Sequence, residues 1–164
     1  MSPLVAHYSK AKLLLAIAGA LAFVAISVLI MMRRHASFID IAGGAAGLIF
    51  FGLCAIIVAV RLFDGRAVLV IDETGIFDRR AKDRLLPWTS IAHIVPTRVG
   101  WQRFYLVLSA VPLQQFTESR HKRALQALNR PWAGNGFFVG ANGLDVSFGQ
   151  IGEAIYRFRP KGTE

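Results

Sequence analysis

Two runs of twenty residues, 13–32 and 41–60, contain no charged side chain, and nothing else in this chain of 164 residues constrains its fold as much. A helix of that length rises about 30 Å, the thickness of a bilayer's hydrocarbon core. Leu, Ile, Phe and Val fill eleven positions of the first run. Together they contribute roughly −3 to −7 kcal/mol towards insertion, with no central charge to set against it. A cleaved signal peptide would have a shorter apolar stretch ending at small residues. This run ends in Met31-Met32-Arg33-Arg34, so both runs are expected as retained transmembrane helices.

The connection over 33–40 is short, which forces the two helices antiparallel and puts both chain termini on one side. Lys10 and Lys12 precede the first run, and Arg61, Arg66, Arg79, Arg80, Lys82 and Arg84 follow the second. The loop has Arg33 and Arg34 against Asp40. The bias puts the termini in the cytoplasm and the chain in an inner (plasma) membrane as a multi-pass protein. Gly43 and Gly47 form a GxxxG pair, the candidate helix-packing face. It suits close approach of the first helix or of a second copy in a homo-oligomer.

From Arg61 onward the composition is that of an ordinary soluble domain, with 15 basic and 9 acidic residues. The expected division is a transmembrane hairpin over 1–62 and one globular domain over 63–164, long enough for a single core. Strands are expected over 67–72 and 76–78 around the turn Glu73-Thr74-Gly75, and over 85–86, 92–95, 101–110 and 137–139. Another is expected over 144–148, after the tight-turn signal Asn142-Gly143. The segment 119–130 has the make-up of a short helix that Pro131 would end. Ile151, Ala154, Ile155 and Phe158 then mark an amphipathic helix over 148–158, with Ser147 and Gln150 as a capping box. The fold class is α+β: a helical hairpin, then an antiparallel sheet or barrel plugged by the terminal helix.

Chemical motifs are sparse. The chain has no P-loop, GxSxG, HExxH or dinucleotide fingerprint. Its lone cysteine, Cys54, sits in the second apolar run, and His7, His35, His93 and His121 are not at metal-ligand spacing. No catalytic, cofactor or metal residue is assigned, and the chain is read as a non-enzyme. Trp101, Arg103 and Tyr105 are of the types that stack on bases, but beside a bilayer, charge alone does not point to nucleic acid. Arg79, Arg80, Lys82 and Arg84 form the candidate surface for anionic headgroups or a protein partner.

The layout is similar to that of a bacterial family of small two-span membrane proteins with a C-terminal pleckstrin-homology-like domain. The likeness rests on Asp72-Glu73-Thr74-Gly75-Ile76, on Pro87-Trp88-Thr89-Ser90-Ile91, on 125–129 and 142–148, and on the terminal helix. It covers nearly the whole chain. It implies a bent antiparallel barrel capped by a helix, and binding as the class of behaviour. It brings no catalytic residues. The expected function is a membrane-proximal PH-like binding module at the cytoplasmic face. The alternative is an accessory subunit packed into a larger membrane complex through its hairpin.

Overall fold

The computed structural model describes residues 2–81 and 84–160, and within one helix the backbone but not the side chains of 125–126 and 129–132. The chain divides into two compact units. One is Tyr8–Gly65; the other joins the segment up to His7 with everything from Arg66 onward.

The first unit is a helical hairpin, α1 (Lys10–Met31) and α2 (Phe38–Leu62), both long and apolar enough to cross a membrane. Ser9 caps α1 by accepting from the Lys12 N–H. Ser37 and Asp40 form a capping box at the start of α2: Ser37 Oγ accepts the Asp40 N–H at 3.2 Å, and Asp40 Oδ2 accepts the Ser37 N–H at 2.9 Å. That box satisfies two of the orphan donors at a helix start and makes the turn sharp.

The pairing of the helices is antiparallel. Phe23 stacks on Phe51 with ring centroids 4.5 Å apart, while Ser27 lies against Gly44 and Gly47, and Met31 against Gly44. Of the expected pair, Gly47 lies at the close approach and Gly43 does not, while Gly44 joins it. A Cβ at Gly44 would come within 2.9 Å of the Ser27 carbonyl, and one at Gly47 within 2.6 Å of Ser27 Oγ. A Cβ at Gly43 would meet nothing within 4 Å. At 100° per residue one helix face cannot hold 43 with both 44 and 47 at its centre, and packing selects the latter two. Ser27 donates to the Phe23 carbonyl one turn back at 2.8 Å, so its buried hydroxyl is satisfied within its own helix.

The second unit holds two antiparallel sheets, and its first strand comes from before the hairpin. β1 (Leu4–Ala6), β2 (Leu69–Ile71), β3 (Gly75–Asp78) and β4 (Leu86–Pro87) are ordered β1-β2-β3-β4, with Val5 opposite Val70 and Val70 opposite Phe77. The division expected at residue 62 falls close to the one after Gly65, but the segment up to His7 groups with the globular unit and not with the hairpin. A three-residue apolar stretch has no periodicity of its own, and only pairing with β2 reveals it as a strand.

Gly75 is obligatory, because a Cβ there would fall on the Leu86 carbonyl oxygen. Asp72 builds the preceding turn. Its Oδ1 accepts from the N–H groups of Thr74 (2.8 Å) and Gly75 (3.1 Å), and its carbonyl accepts the Trp88 indole N–H at 2.8 Å. Burial pushes the Asp72 carboxyl upward, but the donors of Thr74 and Gly75 outweigh it and hold the group below the usual carboxylate range.

The second sheet is β5 (Ile91–Val99), β6 (Gln102–Ser109) and β7 (Gly136–Val139), in that order. Pro96 is tolerated because β5 is an edge strand. Between β6 and β7 runs α3 (Arg120–Ala133), which continues through position 131 instead of ending there. Proline lacks only one N–H bond in a last turn, and the actual stop is Gly134 at φ +57°.

The chain closes with α4 (Phe148–Phe158), whose capping box of Ser147 and Gln150 is present as expected. Ile151, Ala154, Ile155 and Phe158 are buried, and the core continues through Leu69, Ile71, Ile76, Leu86, Val107, Val139 and Leu144.

Two expectations fail here. Among the described residues no closed barrel forms; there are two separate sheets. The stretch 144–148 is not a strand. Leu144 is buried as its alternation suggested, but Asp145 latches the N-terminal segment and Ser147 caps α4. Gly143 does take a positive φ, +71°, in a turn leading to a helix and not to a hairpin partner.

Candidate functional site

Positive charge dominates the chain, with 19 Lys and Arg against 10 Asp and Glu, and several of the basic residues are held by partners within the protein. Arg80 is consumed by structure. Its Nε donates to Asp78 Oδ1 at 3.0 Å and its Nη2 to Asp78 Oδ2 at 2.7 Å. The same guanidinium reaches the carbonyls of Gly140 at 2.9 Å and Asn142 at 3.1 Å. Asp78 is only 1% exposed. This fork clamps the end of β3 to the turn between β7 and α4, and a buried carboxylate needs such a partner.

Arg84 pairs with Glu118 in the open, with Nε 2.8 Å from Oε1. Arg79 is half-buried, and its backbone N–H donates to Val68. Lys82 lies outside the described residues. Of the four residues expected to form a headgroup surface, two therefore hold carboxylates of the protein itself.

A different basic pair stands at the β5–β6 hairpin. Arg98 and Arg103 are directly opposite each other in the register, and both are exposed. Among the described residues neither meets a carboxylate: Arg98 Nε donates to the Gly100 carbonyl at 3.1 Å, and the Arg103 guanidinium lies 5.0 Å above the Phe148 ring. Phe148 in turn stacks on Tyr105 at 4.3 Å. Burial pushes the Tyr105 hydroxyl up, with Arg103 acting in the opposite sense. The loop itself is two residues, Gly100-Trp101, and Trp101 is 93% exposed. Sequence reasoning named Trp101 and Arg103 but missed Arg98. The missing signal was the two-residue loop, which sets the register and puts 98 opposite 103.

A cleft of about 590 Å³ lies beside α3, lined by residues including Leu113, Arg123, Ala127 and Asn135. Two of its polar side chains are already engaged. Asn135 accepts from the Leu113 N–H at 3.2 Å and donates to the carbonyls of Ser109 and Val111, while Arg123 donates to the Glu118 carbonyl. His93 and His121 are exposed on β5 and α3. His7 Nδ1 is 3.7 Å from Asp145 Oδ2, beyond hydrogen-bond range. Asp145 serves there as a latch, with Oδ1 accepting the His7 N–H at 2.8 Å and its own N–H donating to the His7 carbonyl at 3.0 Å. Among the described residues no three His, Cys, Asp or Glu side chains gather as a metal site would require.

Compared with known proteins, the chain matches no family model, no curated protein and no solved structure.

Proposed function

We propose that this chain is a non-enzymatic integral membrane protein that holds a PH-like binding unit at the cytoplasmic face of a bacterial inner membrane. One observation carries the proposal: the strand before the apolar hairpin pairs with the strand after it. A globular unit interrupted by two apolar helices is bound to whatever those helices enter, at two points of its chain. Most large apolar side chains of α1 and α2, among them Leu15, Leu29, Ile49, Phe50 and Ile56, are exposed, which suits lipid and not water. The succession of strands ending in α4, with its apolar face buried, is the part of the PH-like expectation that the architecture supports.

Cysteine accessibility tests the arrangement. With Cys54→Ala as background, His35→Cys in the loop should react with an impermeant maleimide from outside the cell, and Tyr156→Cys on α4 only after permeabilisation. The reverse pattern, or release of the protein by alkaline carbonate, contradicts the proposal.

The outward position of Gly43 favours a second proposal, the accessory subunit. Gly43 faces open space in the hairpin, where a further helix could approach its backbone closely. A larger assembly recovered from native membranes by the wild type, and lost with Gly43→Leu, would support it. A solitary particle would remove it.

A further inference from the structure

We propose that the apex of the β5–β6 hairpin docks into an anionic lipid surface, with Arg98 and Arg103 binding headgroup phosphate and Trp101 entering the interface. This rests on the membrane-tethered reading above and specifies the surface that reading uses.

The apex is built for display. Val99 pairs with Gln102, leaving Gly100-Trp101 as the whole loop. Gly100 has φ +59° and, among the described residues, no non-glycine residue has a positive φ, so the turn has the II′ pattern, with glycine first. β7 pairs with β6 only from Tyr105 onward, so the last residues of the β5–β6 ribbon extend past the three-stranded sheet. At its end Trp101 is almost fully exposed and Val99 is 56% exposed. An indole prefers the membrane–water interface to either bulk phase, since its ring is apolar and its N–H is not.

One residue pair behind this tip stand two arginines. Like charges directly opposite on a sheet cost stability, and no described carboxylate offsets this pair. A phosphate bridging them would remove the repulsion and use the fork geometry of both guanidinium groups. Arg103 is already positioned, held over the Phe148–Tyr105 stack. Helix α4 packs on that stack so tightly that a Cβ at Gly152 would strike the Tyr105 hydroxyl.

An apolar point followed by a cationic collar is the order in which a bilayer presents its interface and its phosphates. That order favours lipid over a protein partner. Reach favours it too. β1 ends at Ala6 and α1 begins at Lys10; α2 ends at Leu62 and β2 begins at Leu69. Connections of three and six residues span at most about 10–25 Å when fully extended.

The test uses the full chain in nanodiscs of phosphatidylcholine, with or without phosphatidylglycerol, each with brominated acyl chains that quench tryptophan. Wild type should be quenched more than Trp101→Phe, and the excess should require phosphatidylglycerol. Arg98→Gln with Arg103→Gln should lower the ratio of docked to undocked tips about thirtyfold. Raising salt to about 1 M, where screening acts within about 3 Å, should reverse the excess. Equal quenching of wild type and Trp101→Phe overturns the proposal. So does loss of the excess with inorganic phosphate at constant ionic strength, which would make the arginines a site for the free anion. Failure of the chain to enter nanodiscs would instead count against the membrane reading itself.

Discussion

Asp78 and Arg80 show how a residue's role depends on contacts that sequence spacing does not display. In the sequence Arg80 is one charge in a basic run; in the fold its guanidinium pairs with a carboxylate only 1% exposed. Arg80→Ala should therefore cost about 3 kcal/mol, because it strands a buried charge. Arg84→Ala, which opens an exposed pair, should cost under about 1 kcal/mol. Thermal unfolding followed by tryptophan fluorescence separates the two, and similar losses would contradict the assignment. The carbonyls of Gly140 and Asn142 that complete the Arg80 clamp lie far along the chain, so no local pattern announces them.

Asp72 gives a pH prediction. Its folded pKa is depressed, so its contribution to stability is present above its unfolded value, near pH 4, and is lost as pH falls through the lower folded value. Asp72→Asn should flatten the acid limb of a stability–pH curve. An unchanged limb would show that other carboxylates set it.

At the scale of elements, the helices were legible and the strands partly so. Long uncharged runs identify α1 and α2 because no other soluble or membrane element needs twenty apolar residues in sequence. The Ser147–Gln150 box identified α4 because a cap is a local device. β1 was illegible: its partner lies on the far side of the hairpin. The stretch 144–148 misled for a related reason. Its alternation of apolar and polar residues is that of a strand, but Asp145 and Ser147 are polar because they bind backbone N–H groups. Within the hairpin the GxxxG spacing pointed to Gly47, which lies at the contact, and to Gly43, which does not. Gly47→Leu should disrupt the α1–α2 contact at Ser27, whereas Gly43→Leu should leave it intact. Crosslinking yield between cysteines placed at Phe23 and Phe51, in a Cys54→Ala background, reads the difference, and equal effects would refute the assigned face.

At the scale of the molecule, the hairpin is an insertion within a globular unit, not an anchor placed before one. That arrangement accounts for the short connections at both ends of the hairpin. It also makes the first strand a structural requirement of the domain. The most direct measurement introduces Val5→Cys and Val70→Cys, which face each other between β1 and β2, into Cys54→Ala protein in native membranes. Opposed cysteines in an antiparallel pair lie within disulfide range. A single intramolecular disulfide should form, hiding both thiols from a mass-tagged maleimide until reduction. Free tagging of both cysteines without reduction would show that the two strands do not meet across the hairpin.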